Sequence, residues 1–239
     1  MKLQRKGTRH AHRGVIGVES AIVMIAFVIV AAALAFVVLN MGFTTSQKAK
    51  TTIIAGLGES SSSMQVAGKV IGVGCTTSAG GCSSTPYLNA TAYPIKITSG
   101  GDAVDLSAAT TAVRYLSNAI EYDDVYAGPI TATEYRSLTS ALDQADAESS
   151  SDFDDFNNAQ PMTGSVVANT AAFIYWSVQT TANAVLDQGE HAVLVVAFED
   201  GERPTSLDTV RVEIIPATGA SLSVERQVPT ITTSVVDLG

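Results

Sequence analysis

From Ser20 to Gln47 the chain carries no charged side chain: SAIVMIAFVIVAAALAFVVLNMGFTTSQ, a run of 28 residues closed by Lys48. Its apolar residues fall on every face of the first seven turns, and a helix hydrophobic all round is buried on all sides, in lipid or among identical helices. Roughly 20 apolar residues suffice to cross a bilayer. The pattern predicts a helix from Val15 to at least Lys50, reaching toward Gly56 and Gly58, where two closely spaced glycines weaken it. Thirty-five to forty residues at ~1.5 Å each make a rod roughly 55–60 Å long. Ala31, Ala32, Ala33 and Ala35 permit close approach of neighbouring helices, as small residues do in membrane bundles.

Past the serine run at 60–63 the pattern changes to short segments rich in β-branched and aromatic residues, at 69–74, 93–99 and 111–117. A polar stretch at 143–161, DQADAESSSDFDDFNNAQP, reads as an insert that includes a loop at the outer surface. The final third carries five further strand patterns, at 171–179, 191–199, 208–215, 220–226 and 230–238. Turn signals separate them: Asp187-Gln188-Gly189, Asp200-Gly201 through Pro204, and Pro216 to Gly219. Tyr175 and Trp176 are expected to pack the core. Short strands at this spacing imply an antiparallel β-sandwich or barrel. The fold class is therefore α+β, with three segments: residues 1–14, a hydrophobic helix at 15–58, and a β domain at 59–239. There is no internal repeat.

Charge divides the chain in the same places. Residues 1–14 hold Lys2, Arg5, Lys6, Arg9 and Arg13 and no acid, so their removal takes the formal net charge from −9 to −14. A basic leader before an apolar helix places the N-terminus in the cytoplasm and the β domain outside. An ordinary signal peptide has a shorter apolar core with its cleavage site after it. Here the processing site lies before the apolar run, at Gly14, so that cleavage leaves the helix on the mature protein. Gly7 is a competing position, but cutting there leaves His10, His12 and Arg13 on the helix tip. The other nine Lys and Arg are scattered among 23 acids, which excludes a nucleic-acid-binding patch.

The two cysteines, Cys75 and Cys82, bracket GCTTSAGGC. Outside the cell such a pair can close a small disulfide ring; the alternative is two free thiols. Two cysteines do not complete a zinc shell, and His191 is the only histidine beyond the leader. Asn89-Ala90-Thr91 is the one N-x-[ST] sequon, an expected glycosylation site. Asp152, Asp154 and Asp155 have the oxygen chemistry for calcium, although a solvated acidic loop is the expectation, and no metal or cofactor is assigned. Catalysis has no support: His191 beside Glu190 lacks a nucleophile motif. Gly72 and Gly74 lack the lysine and following helix that a phosphate loop needs.

The segment RGVIGVESAIVMIAFVIVAAALAFVVLNMGFTTSQKAKTTI resembles the N-terminus of archaellins, the archaeal flagellins, which share a leader and helix with type IV pilins. VLDQGEHAVLVVAF, DTVRVEIIPATGASLSVERQVP and the final VVDLG resemble the end of the archaellin β domain, whereas 75–170 matches no recognised pattern. The resemblance implies a secreted structural subunit that polymerises helically into the archaellum filament and drives swimming. It implies cleavage after Gly14 by a prepilin-type signal peptidase, with Arg13 behind the cut, Val15 as the new N-terminus and Gly17 at the third mature position. Glu19, at the fifth, would pair with the new amino terminus of a neighbour; the alternative is a carboxylate at the interface, contacting water or lipid headgroups. The implied partners are copies of the same chain or other archaellins, the peptidase, the membrane before assembly, and an assembly platform with its ATPase. Rival readings are an adhesive type IV pilin, a membrane-anchored extracellular β domain and a secreted β-sandwich enzyme.

Overall fold

The computed structural model describes residues 13–61, 63–75, 86–148, 150–163 and 165–239. The chain divides into two compact units, residues 1–55 and 56–239. A single helix, α1 (Arg13–Ser61), has 49 residues and is about 73 Å long. It extends past the glycines that were expected to end it. One glycine in a helix costs only about 1 kcal/mol relative to alanine, too little to stop a helix of this length.

The β unit begins with β1 (Met64–Val66), β2 (Ile71–Cys75), β3 (Tyr87–Ile97), β4 (Val104–Asp105), β5 (Ala112–Leu116), β6 (Glu121–Tyr122) and β7 (Tyr126–Ile130). After an interposed helix, α2 (Leu138–Ala147), and a 3-10 turn at Ser151–Phe156, the strands resume. They are β8 (Ala171–Val178), β9 (Val185–Leu186), β10 (His191–Ala197), β11 (Thr209–Ile215), β12 (Leu222–Gln227) and β13 (Val235–Asp237).

Two sheets form the sandwich. The larger runs β13-β2-β3-β10-β8-β7, with β1 also paired to β3; the smaller runs β12-β11-β5-β6. β4 and β9 make a separate two-stranded ribbon. Because β7 pairs with β8 in parallel, the large sheet is mixed rather than wholly antiparallel. Its outer strands β13 and β7 do not meet, so the domain is an open sandwich and not a barrel.

Strand composition follows burial. In β11, Val210, Val212 and Ile214 point into the sandwich while Arg211 and Glu213 alternate with them outward, the period-2 pattern of a sheet with one solvated face. In β8 and β10 there is no such alternation, because both faces are covered. Ala172, Ile174 and Trp176 of β8 join Leu194 and Val196 of β10 between the sheets. Phe173 and Tyr175, with Val193 and Val195, face a second core. The aromatic pair Tyr175-Trp176 is therefore buried as expected but split between two cores.

That second core draws in part of the polar insert at 143–161, which is helical as well as looped. α2 is capped by Ser137, whose hydroxyl accepts the Ser140 N–H at 3.2 Å. Its Ala141, Leu142 and Ala145 are buried against the large sheet. Phe153 and Phe156 of the 3-10 turn follow, Phe156 meeting the Phe173 ring edge-on with centroids 5.1 Å apart. The acids of this stretch face solvent and its phenylalanines form a third layer. Gly74, one of the two glycines with no phosphate-binding context, is needed for a close approach. A Cβ there would lie 2.4 Å from the Thr233 carbonyl oxygen.

Candidate assembly helix and processing site

Every side chain of α1 from 17 to 57 is exposed, including Phe27, Phe36 and Phe43. The segment Gly17–Leu57 is long and apolar enough to cross a membrane by length and composition. Its hydroxyls are suited to an apolar environment. Thr44 donates to the Asn40 carbonyl at 2.8 Å, and Thr51 and Thr52 both donate to the Lys48 carbonyl at 2.9 Å. Each of these three therefore satisfies its donor on its own helix and stays bonded when desolvated.

The faces of this helix are not equivalent. At ~100° per residue, Gly17, Ala31, Ala35, Gly42, Ala49 and Gly56 fall within a sector about 60° wide, which they share with Ser20, Met24, Val38 and Ile53. A Cβ at Gly17, Gly42 or Gly56 would meet nothing within 4 Å. Nothing inside the chain therefore requires glycine there, and at each of these three positions the backbone is open to a neighbouring helix. Ala31 and Ala35 share this sector, whereas Ala32 lies about 100° round from Ala31. The three glycines were missed as a set in the sequence, although Gly42, Ala49 and Gly56 stand seven residues apart.

Arg13, Gly14 and Val15 lie in the first turn of α1. The first four N–H groups of a helix lack intrahelical partners, so the peptide after Gly14 sits where the helix frays most easily. Gly17 and Glu19 are exposed one turn further on.

The remaining sequence-predicted sites lie in the β unit and are not brought together. Cys75 ends β2, buried and disulfide-bonded; Cys82 lies outside the described residues. Asp154 accepts from Asn157 at 3.3 Å and Asp155 from Asn169 at 2.6 Å. Among the described residues no group of three or more His, Cys, Asp or Glu is placed to hold a metal ion.

Asn89, the expected glycosylation site, is only 2% exposed. The β2–β3 register shifts here, pairing Gly74 with Leu88 and Val73 with Ala90, so Asn89 is the bulged residue. Its Nδ2 donates to the Pro161 carbonyl at 2.9 Å and its Oδ1 accepts from Arg203 Nη1 at 3.1 Å. Arg203 pairs with Asp200 and lies 5.0 Å from the Tyr87 ring centroid. A glycan on Nδ2 has no room in this packing. Asn89 instead joins the large sheet, the helical insert and the loop after β10.

Glu190, read only as a neighbour of His191, is the other polar centre. It is 1% exposed and accepts from Thr180 N at 2.6 Å, Thr181 N at 3.1 Å, Asp187 N at 3.2 Å and Trp176 Nε1 at 3.3 Å. This carboxylate holds the β8–β10 connection in place.

A helix apolar and exposed along its length, joined to a separately packed sandwich, defines a subunit whose helix other molecules must cover. Comparison with known proteins gives the family: residues 14–226 match the archaeal-type flagellin model, and the chain belongs to that family. It is a structural subunit of a filament. The match runs through the middle of the chain, where the sequence alone showed no recognisable pattern. A probable flagellin 1 of Aeropyrum pernix is 36% identical over 220 residues, covering 91% of this chain and 92% of the relative. Flagellin FlaB2 of Saccharolobus shibatae is 31% identical over 137 residues, covering 54% and 41%. Among solved structures, the archaeal flagellum of Methanospirillum hungatei shares the fold with a TM-score of 0.56 at 20% identity, covering 93% of this chain and 99% of the other. The crystal structure of flagellin FlaB1 from Methanocaldococcus jannaschii gives 0.53 at 17% identity, covering 73% and 95%.

Proposed function

We propose that this chain is made as a membrane-inserted precursor, cut after Gly14 by a prepilin-type signal peptidase, and transferred into an extracellular archaellum filament that drives swimming. The observation that carries this reading is α1 itself, whose side chains from 17 to 57 are all exposed. Such a helix needs lipid before assembly and neighbouring copies after it. Lipid is as apolar as the helix, so the transfer gains little from burial alone; close packing at the helix's small residues contributes the difference. An assembly platform and its ATPase supply export and rotation.

In the mature subunit Val15 bears the new amino group and Glu19 pairs with that group on a neighbour, since a carboxylate taken into an apolar bundle needs a cation. Residues 15–58 form the filament core and 59–239 the outer shell, with Cys75 bonded to Cys82. Subunit contacts are heterologous and do not close, the geometry of a filament. Replacing Gly14 by Asp tests the pathway. The variant is expected to stay uncleaved in the membrane fraction, with loss of filaments and swimming. Normal filaments from it would overturn the cleavage assignment. Filaments without any swimming defect on deletion of the gene would point to an adhesive pilin.

A further inference from the structure

From Ala21 to Phe43 the helix α1 carries one polar side chain, that of Asn40. Asn40 is exposed, and so are Phe36, Val37, Leu39, Met41 and Phe43 around it. Thr44, one turn on, satisfies its hydroxyl by donating to the Asn40 carbonyl. The Asn40 carboxamide has no such solution. It offers two donors and an acceptor, and inside a helix every backbone N–H is already taken, so its oxygen finds no donor on its own backbone. Left unpaired in apolar surroundings, such a group is costly.

The bilayer does not impose that cost. From Ser20 to Asn40 the helix rises about 30 Å, the thickness of the hydrocarbon core. With Ser20 at the inner boundary, Asn40 reaches headgroups and water on the far side. The cost arises on transfer into the filament, where the cover must be apolar because α1 exposes large apolar residues from Val18 to Leu57. Among the described residues of the β unit, only Val178, Leu207, Ile215 and Val235 are large, apolar and exposed. The surface of this chain that matches α1 is therefore α1 of another copy.

We propose that Asn40 hydrogen-bonds to a polar side chain on α1 of a second copy and so fixes the axial register at which the helices pack. The inference rests on the filament reading. A wholly apolar helix surface tolerates sliding along its neighbour. One buried amide rejects every register that leaves it unpaired, as a lone Asn does in coiled coils. Copies in a filament are displaced along its axis, so the partner is a residue other than Asn40 itself. Ser20 at one end of the apolar run, and Thr44, Thr45, Ser46 and Gln47 at the other, have the required chemistry. Hydrogen bonds of this kind shift helix association by only about three- to twentyfold, so register rather than strength is the quantity to read.

Electron cryomicroscopy of sheared wild-type filaments should place the Asn40 carboxamide within about 3.2 Å of a side-chain oxygen or nitrogen on another copy's α1. Full-length Asn40→Leu keeps the branched shape and removes the hydrogen bonds. It should lose the single helical symmetry of the wild type, with Trp176 emission showing the β unit still folded. Should the variant assemble nothing, the wild-type filament decides alone. An Asn40 that faces only apolar side chains, water or a neighbour's β unit would overturn the proposal. So would Asn40→Leu filaments of wild-type symmetry. Wild-type chain recovered only from membranes would overturn the filament reading and the register bond with it.

Discussion

Replacing Glu190 by Ala removes the acceptor for four N–H groups at once. Hydrogen bonds to a charged group are each worth about 1.5–3 kcal/mol, and a buried donor left bare costs about as much. The two bonds to Oε1, from Thr180 and Thr181, are 2.6 and 3.1 Å and carry most of the effect. The two to Oε2, at 3.2 and 3.3 Å, are weaker. Water entering the vacated space recovers part of the loss, so the expected destabilisation is about 3–5 kcal/mol, a large fraction of a domain's stability. Glu190→Gln keeps one acceptor oxygen for the Oε1 pair and turns its amide toward two donors, so it should cost about 2 kcal/mol. The readout is built in: the chain has one tryptophan, Trp176, buried in the core and donating to this carboxylate. Denaturant unfolding of the detergent-held full-length chain, followed by tryptophan emission, gives both values. An Ala variant within about 0.5 kcal/mol of wild type, the range of an ordinary surface change, would refute the reasoning.

Three further outcomes follow. Peptide mass spectrometry of filament material should find Asn89 unmodified, and Asn89→Ala should destabilise the domain by about 2 kcal/mol by stranding Arg203 and the Pro161 carbonyl; a glycan on Asn89 would show that the packing opens. Asp208 loses some affinity for charge through burial, but the hydrogen bonds from Thr205 and Asn118 outweigh this and lower its pKa below the ordinary 3.8. A depressed carboxylate stabilises the fold above its unfolded value and loses that contribution as pH falls through the folded one. Protection of the amides at 205–208, with exchange corrected for its intrinsic pH dependence, should therefore fall on acidification below pH 3.8 and stay flat above it. Ala32→Glu places an unpaired carboxylate mid-helix, so it should abolish assembly while leaving the β unit folded, read by electron microscopy and tryptophan emission.

The helix was legible because 28 uncharged residues admit few other structures. β8, β10 and β11 were legible because their runs or alternations match two-sided and one-sided burial. The helical insert was hidden by its composition. Leu138, Ala141, Leu142 and Ala145 do follow the i, i+3, i+4, i+7 spacing of a helix face, but two of the four are alanines. Phe153 and Phe156 are masked by the aspartates between and beside them. Asn89 misled because a sequon is local, whereas its burial depends on a bulge and on Arg203, more than 100 residues away. Glu190 could not be read from its neighbours either, since its partners converge only when β8 and β10 pair. The set of Gly17, Gly42 and Gly56 was legible in principle, through its helical phase.

The most direct test of the central claim is N-terminal peptide mass spectrometry on filaments sheared from cells that make this chain. The account predicts a mature N-terminus at Val15, with α1 intact in the extracellular polymer. An intact leader found only in membrane fractions would contradict it.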